Sequence, residues 1–314
     1  MVRFVLSRIG QTLAVLFTVS VIIFALMRLI PGDPVLMMLG DDFTQDAYEN
    51  LRSKLGFDRS IVTQYLIWIG RVLAGDLGDS YLNHERVSRL VLDAFVPTLV
   101  LVVASLVVGI LIAVPSGIIS AMRKDSAWDY GSMGFAIFVY SMPAFWKGII
   151  LIWIFSVHLR WFPAMGYVAP WDDLWQGLWR LVLPAITLGT FFSGLVARII
   201  RSSLLEVLDQ DYVKAARARG VRQAALVYKH AMANALIPVV TVIGLQFGTL
   251  LGGAVLTETV FAIPGMGRLS VAAILNRDYA VVQGAILVGV FAVVVVNLLV
   301  DLTYAFLNPR IRVA

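Results

Sequence analysis

The chain contains no cysteine, which excludes disulfides, thiolate metal sites and cysteine nucleophiles. Histidine is scarce: His84, His158 and His230 lie far apart, so no metal site is assigned. Charge is scarce as well. Only 14% of the 314 residues are Asp, Glu, Lys or Arg, against about a quarter in soluble domains. There is no Gly-Lys dipeptide, so the phosphate cradle GxxxxGK[ST] of a P-loop ATPase is missing. HExxH, GxSxG and paired intramembrane aspartates are missing too. Enzymatic activity is therefore not expected, no catalytic residue is assigned, and no cofactor is expected in this polypeptide.

What the chain has instead is apolar length. Hydrophobic residues make up 60% of it and the mean hydropathy is +0.86. Six segments reach the roughly 20 apolar residues needed to span a bilayer: 9–30, 96–121, 133–157, 181–204, 236–257 and 283–307. The composition and these segments predict an all-α integral membrane protein with six transmembrane helices. The first segment has no small-residue cleavage site after it and closes on PGDP at 31–34, so it reads as a retained anchor.

The basic residues alternate with the spans. Arg3 and Arg8, Arg123 and Lys124, seven residues between Arg198 and Lys229, and Arg310 with Arg312 all fall at one set of ends. The opposite first loop, 31–95, holds ten acids and six bases. The positive-inside rule then puts both termini in the cytoplasm. It also accounts for the net charge of +5, so nucleic acid is not an expected partner. In the external loop, Ile61, Tyr65, Trp68, Ile69 and Val72 recur at helical spacing, which predicts amphipathic helices on or near the outer membrane face. Trp161, Trp171, Trp175 and Trp179 read as an aromatic belt. IPGMG at 263–267 reads as a turn cluster. This gives two regions: 1–95, an N-terminal transmembrane helix plus external loop, and 96–314, a core transmembrane domain that contains the polar stretch near 209–235.

The stretch at 209–238, DQDYVKAARARGVRQAALVYKHAMANALIP, interrupts the apolar second half. Asp211 is placed to cap a helix, residues 214–219 favour helix, and Gly220 suits the left-handed position beyond its end. A second helical run to Ala235 follows, and Pro238 opens the next helix. Two short helices joined by a glycine hinge, with alanines that admit a close neighbour, predict a docking element for a partner. The candidate coupling residues are Asp211, Tyr212, Lys214, Ala215, Ala216, Arg217, Gly220, His230 and Asn234.

Charges at membrane depth are functional candidates. Arg28, Arg198, Arg201 and Glu258 sit near span ends, where a long side chain can reach water. Lys147 and Asp301 lie deeper, and Asn297 shares a helix face with Asp301. Lys147, Glu258, Asn297 and Asp301 are held as structural or pathway candidates. Gly244, Gly248 and Gly252 have the spacing of close helix contacts. These scattered charges form no proton relay, which argues against a self-sufficient carrier or channel.

Several blocks together carry a resemblance: RLIPGDP (28–34), LGFDRSIVTQY (55–65), GDLGDSY (75–81), LPAITLG (183–189), ETVFAIPGMGRL (258–269) and NRDYAVVQG (276–284). The chain resembles the inner-membrane permease subunits of ABC importers for dipeptides, oligopeptides and nickel. Ala215, Ala216 and Gly220 match that family's EAA loop, with Lys214 in place of Glu. Ala280 stands where Pro is expected. The resemblance implies a type I ABC-importer permease fold in a bacterial cytoplasmic (inner) membrane. It further implies a homologous second permease, two cytoplasmic ATP-binding subunits that hold ATP and Mg, and a periplasmic or lipid-anchored substrate-binding protein. Di- or oligopeptides are the substrates it favours, with a nickel chelate or glutathione as alternatives.

Overall fold

A computed structural model describes residues 2–29, 34–39, 43–54 and 56–307. The turn at 31–33 and the basic residues Arg310 and Arg312 lie outside the described residues. Among the described residues the secondary structure is helical, apart from one isolated bridge, Asp79–Arg86. The helices are α1 (Val2–Leu29), α2 (Pro34–Leu39), α3 (Gln45–Lys54), α4 (Ile61–Leu73), α5 (Val87–Met122), α6 (Ala127–Ser141), α7 (Ala144–Leu151) and α8 (Leu174–Leu208). They continue with α9 (Asp211–Ala218), α10 (Gln223–Ala225), α11 (Met232–Ala235), α12 (Ile237–Phe261), α13 (Met266–Leu275) and α14 (Tyr279–Leu307).

Among the described residues, five helices are long and apolar enough to cross a membrane: α1, α5, α8, α12 and α14. The sixth expected span, 133–157, is not one continuous helix. α6 and the segment Ala144–His158 meet at 103°, and count as one crossing only if the bent pair is taken together. Pro143 is the cause. It lacks an amide hydrogen and forces the preceding residue out of helical geometry, and Met142 is extended at φ −76°, ψ 129°. Beyond α7 the chain widens into a π-helical stretch, Ile152–His158.

Contacts divide the described residues into two compact units, one of 97–263 with 295–307 and one within 2–96 with 264–294. In the first, α8 is the axis. Two-thirds of its apolar window is buried, more than in any other candidate span. The reason is that its neighbours reach its backbone. A Cβ added at Gly109 would stand 2.3 Å from the Phe192 ring and 2.8 Å from the Gly189 carbonyl, and one at Gly189 would stand 2.5 Å from the Ser105 carbonyl. At Gly194 it would meet the Ala136 carbonyl at 2.6 Å. Small residues are what lets helices associate where lipid is as apolar as the side chains. Of the glycines spaced by four on α12, Gly244 is such a contact, with Val300 2.3 Å from an added Cβ, whereas Gly252 faces open space.

One ionic junction braces this unit. Arg201 of α8 donates to Asp129 of α6 through Nε at 2.8 Å and Nη2 at 2.6 Å. Ser120 of α5 donates to the same carboxylate, and the Asp125 amide donates at 3.0 Å. Arg201 therefore does not reach out to water as its sequence position suggested. Asp129, counted from sequence only as a loop charge, is buried at the centre of a four-donor site. The sequence signal was Ser126-x-x-Asp129, a helix-start pattern: Ser126 accepts from the Asp129 amide, which aims the carboxylate backwards. Glu258 also departs from expectation. It is fully buried and accepts from Thr98.

In the second unit, Val87, Val91, Met266, Ala273 and residues 280–282 form the core. Ser80 donates to Asp278, whose other oxygen receives the Val281 amide at the start of α14. The expected helix over 61–73 forms, capped by Ser60. It packs along α1, with the Tyr65 hydroxyl 2.8 Å from Ser20 and rings of Phe17 and Phe24 against Tyr65. The turn cluster at 263–267 resolves into a left-handed Ala262 and Gly265 as the N-cap of α13.

Two outcomes follow from these contacts. Gly189→Leu, which overpacks the α5–α8 crossing, is expected to destabilise the detergent-solubilised protein by about 2 kcal/mol, while Gly252→Ala, which meets no neighbour, does not lower its melting temperature. Asp129→Ala removes the carboxylate that a half-buried guanidinium binds and is expected to cost about 2 kcal/mol. The Asp129→Ala/Arg201→Leu double variant should melt higher than Asp129→Ala alone, and thermal unfolding of the set measures both.

Candidate coupling site

The site grows out of the end of α8. Asp209 closes that helix and α9 begins two residues later. The expected cap is corrected by one position. Gln210 is the N-cap, its side chain makes no capping bond, and Asp211 is the first helical residue. The acidic side chain there still faces the positive end of the helix dipole. Gly220 has φ +82°, and a Cβ added there meets nothing within 4 Å. The backbone angle alone, not crowding, calls for glycine.

An apolar clip fixes α9 to what surrounds it. Val213, Ala216 and Leu226 are buried together, with Val207, Leu208 and Val221 against them. The two alanines of the motif thus have different jobs: Ala216 is 5% exposed inside the clip, and Ala215 faces outward. Two polar contacts add to the clip. Lys214 pairs with Asp209 at 2.9 Å, and Asn234 donates to the Tyr212 hydroxyl at 2.8 Å. The Lys214 ammonium holds the Asp209 carboxyl below its usual range, and the carboxylate in turn pushes Lys214 up. Both groups are exposed, so the pair contributes little to stability.

The second run is helical from Gln223 to Ala235, but not uniformly. α10 and α11 flank a π-helical turn, Leu226–Ala231. That wider turn places Leu226, Val227, Ala231 and Ala235 on a buried face, of which Val227, Ala231 and Ala235 join the cluster that contains Leu204 of α8. His230 is half-buried, and Pro238 opens α12 as expected.

The structure therefore gathers Asp211, Tyr212, Lys214, Ala215, Arg217, Gly220 and Asn234 at one exposed site, with Ala216 beneath it. The pathway candidates do not join it. Lys147 is buried on α7 and donates to Thr190 of α8 at 3.2 Å. Glu258 is buried on α12, and Asn297 and Asp301 are half-buried on α14. Sequence reasoning missed Val213 and Leu226, which hold the site in place. Their signal was present as apolar residues inside a polar stretch. Among the described residues no group of His, Cys, Asp or Glu could hold a metal ion. The arrangement supplies no reacting groups. What it supplies is a rigid, outward-facing helix fastened to a membrane-length one.

Residues 113–313 match the family described as binding-protein-dependent transport system inner membrane component, and residues 1–102 match the N-terminal family of the same membrane components. A putative peptide permease protein of Brucella suis is 42% identical over the whole of both chains. A di/tripeptide transport system permease protein of Pseudomonas aeruginosa is 42% identical and the dipeptide transport system permease protein of Escherichia coli K12 is 39% identical, each over 99% of both chains. Among solved structures, the methionine ABC transporter MetNI in an inward-facing conformation matches with a TM-score of 0.59 at 18% identity, covering 70% of this chain and 96% of the other. That likeness shows the ABC-importer permease fold. The family implies ATPase and substrate-binding partners and a multi-pass place in the inner membrane. The chain belongs to the inner-membrane components of binding-protein-dependent transport systems and is a non-catalytic permease subunit of an ABC importer.

Proposed function

We propose that this permease forms half of a translocation path for di- or oligopeptides and that α9 transmits the motion of cytoplasmic ATPases to it. The observation that carries the coupling role is the clip of Val213, Ala216 and Leu226. It leaves Tyr212, Lys214, Ala215 and Arg217 on the exposed side, where a partner can meet them, while fixing α9 to the end of α8. A displacement applied to the exposed face then moves α8, the most deeply packed helix of its unit, instead of bending a loop. The left-handed Gly220 lets α9 and the following run keep different directions. Full-length relatives named as peptide, di/tripeptide and dipeptide permeases support the substrate class.

In this reading both termini and α9 lie in the cytoplasm, as the basic residues favour. A homologous second permease completes the path, and two ATP-binding subunits, which hold ATP and Mg, each grip one coupling helix. A periplasmic or lipid-anchored binding protein delivers the substrate. Membrane lipid surrounds the spans, and nucleic acid has no part.

Reconstitution of the complete importer in proteoliposomes tests both halves of the proposal. Ala215→Glu is expected to insert and melt like the parent but to lower binding-protein-stimulated ATP hydrolysis to the unstimulated rate; normal transport by this variant overturns the docking assignment. Ala216→Glu, by contrast, is expected to lower the melting temperature, because it buries a charge in the clip. With the native binding protein present, labelled di- or tripeptide should enter the vesicles only with ATP. Uptake of glutathione or a nickel chelate in its place overturns the substrate class while leaving the coupling result untouched.

A further inference from the structure

The unit of residues 2–96 and 264–294 contains a cavity of about 530 Å³ that the transport reading does not use. It lies at the end of α1, and its wall carries three guanidiniums, Arg28, Arg52 and Arg71, with the carboxylates of Asp76 and Asp79. Among the described residues none of these arginines forms an ion pair. Arg28 stands over two rings: its guanidinium carbon is 5.0 Å from the ring centres of both Phe24 and Phe57. A cation–π contact of this kind occupies none of the N–H donors, which stay open for an oxyanion. Two buried polar atoms on the same wall also lack partners. Among the described residues the Tyr279 hydroxyl and Gln64 Oε1 have no hydrogen-bond partner, although Tyr279 is 6% and Gln64 9% exposed. A buried polar atom left unpaired is costly. The wall therefore asks for one ligand with an anionic group for the guanidiniums and N–H donors for Gln64 Oε1 and the two carboxylates.

The surroundings say where such a ligand comes from. Arg28 ends the apolar span Leu6–Arg28, so it sits at the boundary between hydrocarbon and headgroups. Tyr65 of α4 touches Phe17, Ser20 and Phe24. Ser20 is eight residues below Arg28, or about 12 Å along a helix, within the roughly 15 Å half-thickness of the hydrocarbon layer. α4 thus packs through Tyr65 against the part of the span that precedes Arg28. Ile61, Val62, Leu66 and Leu73 of α4 are exposed and apolar, which suits acyl chains.

We propose that this cavity holds the headgroup of an aminophospholipid, with its phosphate on Arg28, its ammonium toward Asp76, Asp79 and Gln64, and its acyl chains along the exposed face of α4. The site is independent of the transported substrate. Native mass spectrometry of the delipidated, purified importer complex with added dioleoyl-phosphatidylethanolamine tests it. The parent is expected to retain this lipid at least threefold better than dioleoyl-phosphatidylcholine, whose methylated nitrogen has no N–H to donate. Arg28→Ala is expected to weaken retention about tenfold, the loss of a charge-assisted hydrogen bond. Tyr279→Phe, which preserves shape and so guards against misfolding of the first variant, is expected to weaken it severalfold. Equal retention by the parent and both variants would show the lipid to be merely annular and overturn the proposal. Displacement of the lipid by dialanine would overturn it as well, by making the cavity a peptide site.

Discussion

The larger unit depends on how closely backbones can approach α8. In lipid no hydrophobic gain drives one apolar helix onto another, so association rests on dispersion contacts and hydrogen bonds. Gly109, Gly189 and Gly194 remove the side chains that would hold α5 and α6 away. Everything else in that unit follows from these crossings. They bury most of α8 and bring Ser120, Asp129 and Arg201 within reach of one another. They also leave the end of α8 as a stiff mount for α9.

Many polar groups in the interior are paired, although the buried hydroxyls of Thr241 and Thr257 are not. Ser105 and Thr187 donate to carbonyls in their own helices. Lys147 finds Thr190, Glu258 finds Thr98, and Arg201 finds Asp129. A charge placed in a low-dielectric interior without a partner is too costly to persist. Each such pair therefore also fixes the register of the two elements it joins. The cavity beside Arg28 differs in that two of its buried polar atoms, Gln64 Oε1 and the Tyr279 hydroxyl, lie on the wall with three arginines that form no ion pair among the described residues.

The coupling site shows how much was legible. The helix over 211–218, the glycine turn and the start of α12 at Pro238 were all readable, because capping, φ > 0 and proline act locally. The division of labour between Ala215 and Ala216 was not. Alanine carries no mark of which side is buried, and the answer lies with Leu226, ten residues on. The π-helical turn was likewise invisible, since nothing in LVYKHA distinguishes it from an α-helical run.

The order of apolar segments, the scarcity of charge and the motif blocks determined by themselves that this is a multi-span permease without chemistry of its own, because span length and turn residues are properties of short stretches. Only the tertiary structure decided that residues 127–158 form a bent pair and that Asp129 belongs to Arg201. It alone decided that Glu258 is buried and that α4 lies along α1. Each of these depends on residues far apart in the chain meeting at one point, and no local pattern encodes where a helix will find its neighbour.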